Sequence, residues 1–195
     1  MKSEVIKYIL KHVPLSAELQ QAVLENCILR TYQKGTVLLK EGAISNENYL
    51  VLKGCIRSYY IIDGIEKTTT FYTEEHIVLP SSYGKNTPSE HYLECTEDTT
   101  VTVGTPSMEA EMFKKHPELE LVFRVLSEVY LSKSRVYFDN YMLSTPEERY
   151  LNLLSSRPDL VQRVPQYQIA SYLGLTPESL SRLRKRLLAK QKLPV

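Results

Sequence analysis

Between Gln166 and Lys190, polar side chains able to read hydrogen bonds sit beside an apolar set able to hold them still. Leu180, Leu183 and Leu187 recur at helical spacing, and the opposite face carries Glu178, Ser179, Ser181, Arg182, Lys185 and Arg186. A glutamate can accept a hydrogen bond from cytosine N4, and an arginine can reach O6 and N7 of guanine. Cationic side chains beside them neutralise phosphates and displace condensed counterions. Glu178 and Arg182 are four residues apart, so on a helix they share one face. This is the chemistry of major-groove reading. An ordinary helical hairpin with a solvated basic face is the alternative, and it would not require these features to coincide.

Such a helix must be braced. The residues before it predict a short helix from Gln166 to Leu173, with Ile169 and Leu173 inward and the small Ala170 where a second helix would cross. Gly174 supplies the left-handed residue that ends a helix. Leu175 plugs the turn. Thr176 is placed to cap the second helix, with Pro177 at its first position. The combination predicts a helix-turn-helix, with Gln168 and Thr176 joining the outward residues as candidate DNA contacts.

Charge is distributed in keeping with this. The 195-residue chain has a formal net charge of +1. Residues 88–120 carry eight acidic side chains against Lys114 and Lys115, whereas residues 177–195 carry six basic ones against Glu178. One basic end on a near-neutral chain predicts a sensing or scaffold part joined to a polyanion-binding part. With 43% hydrophobic residues there is material for a packed core. No apolar run approaches the length of a membrane span, and the N-terminus has no signal-peptide pattern, so a cytoplasmic protein is expected. Cys27, Cys55 and Cys95 are too few and too far apart for a disulfide framework, a CxxC metal site or a four-cysteine cluster, and are read as reduced thiols. His12, His76, His91 and His116 are isolated, so no metal site, no cofactor and no enzyme are expected.

The elements around the helix-turn-helix follow from periodicity. Residues 3–26 have helical spacing broken at Pro14 and Ser16, which predicts two short helices. From about 28 to 104, short β-rich runs alternate with Lys34-Gly35, Glu41-Gly42, Lys53-Gly54 and Asp63-Gly64, the last a strong hairpin signal. Many short strands at this spacing predict an antiparallel sandwich or roll. A long helix is predicted over 117–143. Leu119, Val122, Leu126, Val129, Lys133, Val136 and Asn140 repeat with heptad spacing along it, ending at Leu143, and polar Lys133 and Asn140 are of the kind that set register. Phe123, Tyr130 and Tyr137 form a second stripe. One stripe against the sheet and one against a second copy would give a homodimer; a helix packed only on its own sheet is the other arrangement. Thr145-Pro146-Glu147-Glu148 predicts a fresh, boxed helix start. The division expected is 1–116, 117–143 and 144–195, and the class is α+β.

Gln168-Ile169-Ala170-Ser171-Tyr172-Leu173-Gly174-Leu175-Thr176-Pro177-Glu178-Ser179-Leu180-Ser181-Arg182 resembles the helix-turn-helix of the bacterial Crp/Fnr regulators. Tyr49-Leu50-Val51-Leu52-Lys53-Gly54-Cys55-Ile56-Arg57 resembles that family's strand-glycine-strand segment. The order of elements agrees over nearly the whole chain. The resemblance implies a cyclic-nucleotide-binding-like jelly roll, a dimerisation helix, and a homodimer on a pseudo-palindromic operator in double-stranded DNA, with RNA polymerase a further candidate partner. It places Thr176, Glu178, Ser179 and Arg182 at DNA-contacting positions. Pro177 departs from the family's best-known activator, which has a base-reading arginine there, so the half-site should differ. The chain ends at Leu193-Pro194-Val195, where relatives continue into a wing, so a missing or rudimentary wing is expected.

Cyclic-AMP-binding members carry a Gly-Glu pair and, about ten residues on, an arginine that neutralises the phosphate. The matching stretch, 77–90, has no Gly-Glu pair and sets Ser89 at the arginine position with Glu90 beside it. A carboxylate there repels a phosphate, so a degenerate pocket that does not bind cyclic AMP is expected, with an unknown small-molecule effector or none. Ser134 and Arg135 match positions that approach the nucleotide, although Arg135 also fits a surface or intersubunit role. A genuine nucleotide-responsive regulator and a heme- or small-molecule-sensing member remain alternatives.

Overall fold

The computed structural model describes residues 1–191. Two helices, α1 (Lys2–Leu10) and α2 (Ala17–Asn26), precede eight strands: β1 (Ile28–Tyr32), β2 (Val37–Leu39), β3 (Asn48–Lys53), β4 (Ile56–Ile62), β5 (Ile65–Tyr72), β6 (Ile77–Val78), β7 (Tyr92–Cys95) and β8 (Thr99–Gly104). Six helices follow: α3 (Pro106–Lys115), α4 (Glu118–Leu143), α5 (Pro146–Ser156), α6 (Pro158–Arg163), α7 (Gln166–Tyr172) and α8 (Pro177–Gln191). Two short N-terminal helices, a β-rich middle, a long helix and a helical end all appear where periodicity predicts them. Residues 158–163 form a separate one-and-a-half-turn helix that periodicity did not reveal, because six residues are too few to display a helical period.

The strands form two four-stranded sheets, in the orders β1-β8-β3-β6 and β2-β7-β4-β5. β8 runs antiparallel to both β1 and β3, with Ile28 opposite Val103 and Leu50 opposite Thr102. Alternation along β3 sends Tyr49 and Val51 into one core and Leu50 into another. The first core fills the space between the sheets with Leu39, Ile56, Leu93, Cys95 and Val101. The second joins the β1-β8-β3-β6 sheet to α1, α2, α3 and the first half of α4. Asp63 and Gly64 both have positive φ, as a two-residue hairpin with a type I′ turn requires, and they close β4 onto β5. All three cysteines are free, and burial pushes the Cys95 thiol up to about 11.

The second core changes the reading of α4. Leu119, Val122 and Leu126 are buried against the protomer's own α1, α2 and α3, so these three cannot be a dimer seam. The first half of the heptad stripe is thus used within the protomer. Val129 is half-buried, while Lys133, Val136, Asn140 and Leu143 are exposed.

The chain divides into two compact units that differ from the expected three segments. One comprises Met1–Ser58 with Phe71–Val136; the other comprises Tyr59–Thr70 with Tyr137 onward. Hydrogen bonds explain why the tip of the β4–β5 hairpin joins the second unit. The Thr68 amide donates to Ser171 Oγ at 2.9 Å, and that hydroxyl donates to the carbonyl of Glu66 at 3.0 Å.

Candidate nucleic-acid interface and effector cavity

In the second unit, α7 and α8 are clamped by Ile169, Ala170, Leu173, Leu180 and Leu183, all buried. Gly174 has φ +72°, a conformation that favours glycine, and the space beside it is limited: an added Cβ would come within 3.2 Å of the Tyr141 hydroxyl. The Leu175 amide closes the turn onto the carbonyl of Ala170 at 2.9 Å. Thr176 caps α8, its hydroxyl oxygen accepting the Ser179 amide at 3.2 Å. Arg149 fastens the base of this assembly. Its Nε donates to the carbonyls of Tyr141 and Ser144, each at 3.1 Å, and its Nη1 donates to that of Leu173 at 3.2 Å. One planar guanidinium therefore ties the end of α4 to the end of α7, while its carbon lies 3.8 Å from the centre of the Tyr141 ring.

This brace presents Glu178, Ser181, Arg182 and Lys185 outward, all exposed. Arg182 Nη2 donates to Ser179 Oγ at 3.1 Å, and the Thr176 hydroxyl donates to the same oxygen at 3.1 Å. The Glu178 carboxyl is held below its ordinary range, first by its own backbone amide, then by the Thr176 hydroxyl and the nearby Arg182 charge. It is thus an ionised acceptor at the first turn of α8, where helix amides also favour negative charge.

Two expected contacts are placed differently. Gln168 is 5% exposed, with its amide nitrogen 3.3 Å from the Tyr167 hydroxyl. Helical geometry turns it with Ile169 and Ala170 into the α7 interior, not onto the outward face. Arg186 is ion-paired with Glu147 at the start of α5, so its charge is engaged within the unit. The ending 192–195, and with it any wing, lies outside the described residues. Sequence reasoning missed Arg149 and Ser171, whose partners lie on segments that spacing cannot bring together.

The first unit holds a cavity of about 650 Å³ between the outer face of the β1-β8-β3-β6 sheet and helices α1 to α4. None of Ser89, Glu90, Ser134 or Arg135 lines it. Ser89 is buried and committed locally: its hydroxyl donates to the His91 carbonyl at 2.8 Å and accepts the His91 amide at 3.2 Å. Glu90 and Arg135 are exposed and Ser134 half-buried. Burial lowers the His91 pKa, opposed by the Glu90 charge, so His91 sits neutral beside Ser89. Among the described residues, no three His, Cys, Asp or Glu side chains gather so as to hold a metal, and no helix is long and apolar enough to cross a membrane.

Residues 29–115 match the model of the cyclic nucleotide-binding domain family. Over most of its length the chain shares its fold with several solved structures. FixK2 from Bradyrhizobium japonicum is 18% identical, with a TM-score of 0.65 covering 87% of this chain and 88% of that one. CLP of Xanthomonas campestris, described as a c-di-GMP responsive global regulator, is 17% identical, with a TM-score of 0.68 covering 92% and 95%. A CooA variant from Carboxydothermus hydrogenoformans is 19% identical, with a TM-score of 0.62 covering 93% and 83%. No curated protein matches the chain.

Proposed function

We propose that this protein is a DNA-binding transcription regulator of the Crp/Fnr type, not an enzyme, and that it acts as a homodimer on a pseudo-palindromic operator. The observation that carries this reading is the exposure of Glu178, Ser181, Arg182 and Lys185 on a helix whose Leu180 and Leu183 are locked onto α7. A rigid helix with an acceptor and a bidentate donor one turn apart suits base edges in one major groove. Glu178 and Arg182 read bases, and Lys185 meets phosphate.

Binding-site selection with two variants at two salt concentrations tests this. Arg182→Ala is expected to cost roughly 1–3 kcal/mol on the preferred site and to flatten discrimination at one base pair. Lys185→Ala should weaken all sequences alike and reduce the salt slope by about one unit. An unchanged sequence preference in Arg182→Ala would remove that residue as a base reader. Two half-sites about one helical turn apart are expected.

The roll does not respond to cyclic AMP or cyclic GMP. Ser89 is spent on the His91 backbone, and the exposed Glu90 carries the wrong charge for a phosphate. Titration calorimetry at millimolar nucleotide is expected to give no saturable heat; one site per subunit with micromolar affinity would contradict this.

A further inference from the structure

The cavity in the first unit has a built polar end that nothing in the DNA-binding reading uses. Asn48, at the start of β3, faces Gly104 across the ladder, and an added Cβ at Gly104 would fall 2.7 Å from the Asn48 Oδ1. The glycine leaves room for the amide to turn. Asn48 Nδ2 donates to Glu109 Oε1 and to the Tyr83 hydroxyl, each at 2.8 Å, and that hydroxyl donates to the same Glu109 oxygen at 2.8 Å. Burial, then the neighbouring carboxylate, push the Tyr83 pKa far up, so it remains a donor. One carboxylate oxygen is thus fixed by two neutral groups. Among the described residues no donor reaches the other oxygen, and no cation pairs with Glu109. The remaining wall is mostly apolar, with Ile9, Leu50, Met108, Met112, Phe123 and Leu126 contributing. Methionines make such a wall adaptable.

We propose that this cavity binds a small amphipathic molecule with an apolar body and a protonated amine at one end, the amine donating to the open oxygen of Glu109. A volume of about 650 Å³ lies within the range of small-molecule sites. An oriented, unneutralised carboxylate at the end of an apolar cavity favours a cation and disfavours a carboxylate or phosphate. Arg124 and Glu120 also border the cavity, but both are exposed and of opposite sign, so they select weakly. α4 forms one wall, so an occupant would bias the helix proposed to hold the dimer. That consequence rests on the regulator reading; binding itself does not.

Calorimetry on the full chain with 1-dodecylamine, 1-dodecanol and dodecanoate, each below its micelle concentration, tests the assignment. The amine is expected to bind saturably, one per protomer, and more tightly than the alcohol, with dodecanoate undetectable. Glu109→Gln should weaken the amine at least about tenfold, the effect of removing a charged hydrogen-bond acceptor. Met108→Trp, which fills the cavity from its half-buried rim, should abolish binding, and circular dichroism checks that each variant is folded. If Glu109→Gln does not fold, the amine-over-alcohol preference and Met108→Trp decide. The assignment is overturned by equal binding of alcohol and amine, by tighter binding of dodecanoate, by amine affinity unmoved in the folded variants, or by no saturation. It is also overturned if binding disappears as protein concentration rises, which would give the cavity to a second copy of the chain. A chain that binds the amine but selects no DNA sequence keeps this site and removes the regulator reading; the reverse removes only the site.

Discussion

Gly54→Ala, in the turn between β3 and β4, is expected to destabilise the roll by about 3–5 kcal/mol. Gly54 has φ +103°, a conformation that strains any residue with a Cβ. The space is also taken: an added Cβ would lie 2.6 Å from the Cα and 2.6 Å from the Oγ1 of Thr99. The backbone atom cannot rotate away. Thr99 is held there because its hydroxyl oxygen accepts the Cys55 amide at 3.2 Å, and the Gly54 amide itself donates to Glu74 Oε1 at 2.9 Å. The β3–β8 register shifts between Val51 and Lys53, immediately before this turn. Backbone strain and overpacking each cost about 1–3 kcal/mol and here act together. For a chain of this length that lowers the melting temperature by about 6–20 °C. Thermal unfolding followed by circular dichroism measures it, and a shift of only a degree or two would mean that the turn is free to move.

The second large effect concerns association. Val136→Glu combined with Leu143→Glu is expected to give a folded monomer that has lost specific DNA binding. Both side chains are exposed in the protomer, at 57% and 85%, so replacing them leaves its core intact. Leu126 would be an uninformative target, because it is buried against α1–α3 and its loss would unfold the protomer. In a parallel pair of α4 helices the double substitution removes four apolar side chains from the seam and adds four like charges. At about 1.5 kcal/mol for each lost side chain, the dimer should weaken at least about 10³-fold. Sedimentation reads the mass and a melt confirms the fold. An intact dimer would move the interface away from this face of α4, towards Leu131, Phe138 and Met142, which are also exposed.

Features decided by a few neighbouring residues were legible in the sequence. The boxed cap at Thr145 and Glu148, the Asp63-Gly64 hairpin and the Gly174 turn depend on local sterics and hydrogen bonds, and each is found as read. Features decided by which neighbour arrives were not legible. A heptad repeat says that one stripe of α4 is buried, but not whether a partner or the protomer's own helices bury it; Leu119, Val122 and Leu126 went to the latter. Gln168 has a polar side chain beside the helix proposed to read DNA, yet helix phase turns it inward. The polar end of the cavity was invisible for the same reason. Asn48, Tyr83 and Glu109 come from a strand, a loop and a helix, and no spacing rule joins them. Gly104 was the nearest thing to a signal, a glycine ending a β-rich run with no turn following it.

The hairpin tip has a consequence for how the chain is made. Thr68 leaves the ribosome long before Ser171, the residue whose hydroxyl its amide requires, 103 positions later. Until Ser171 has been made, that amide lacks the hydroxyl it donates to in the folded chain. The C-terminal helices in turn complete themselves only by returning to a segment made early. A fragment beginning at Tyr137 lacks the Glu66 carbonyl that accepts the Ser171 hydroxyl. The helices proposed to meet DNA thus keep hydrogen bonds to a segment made much earlier in the chain. They are the last part of a unit whose first strand pair was laid down near the beginning.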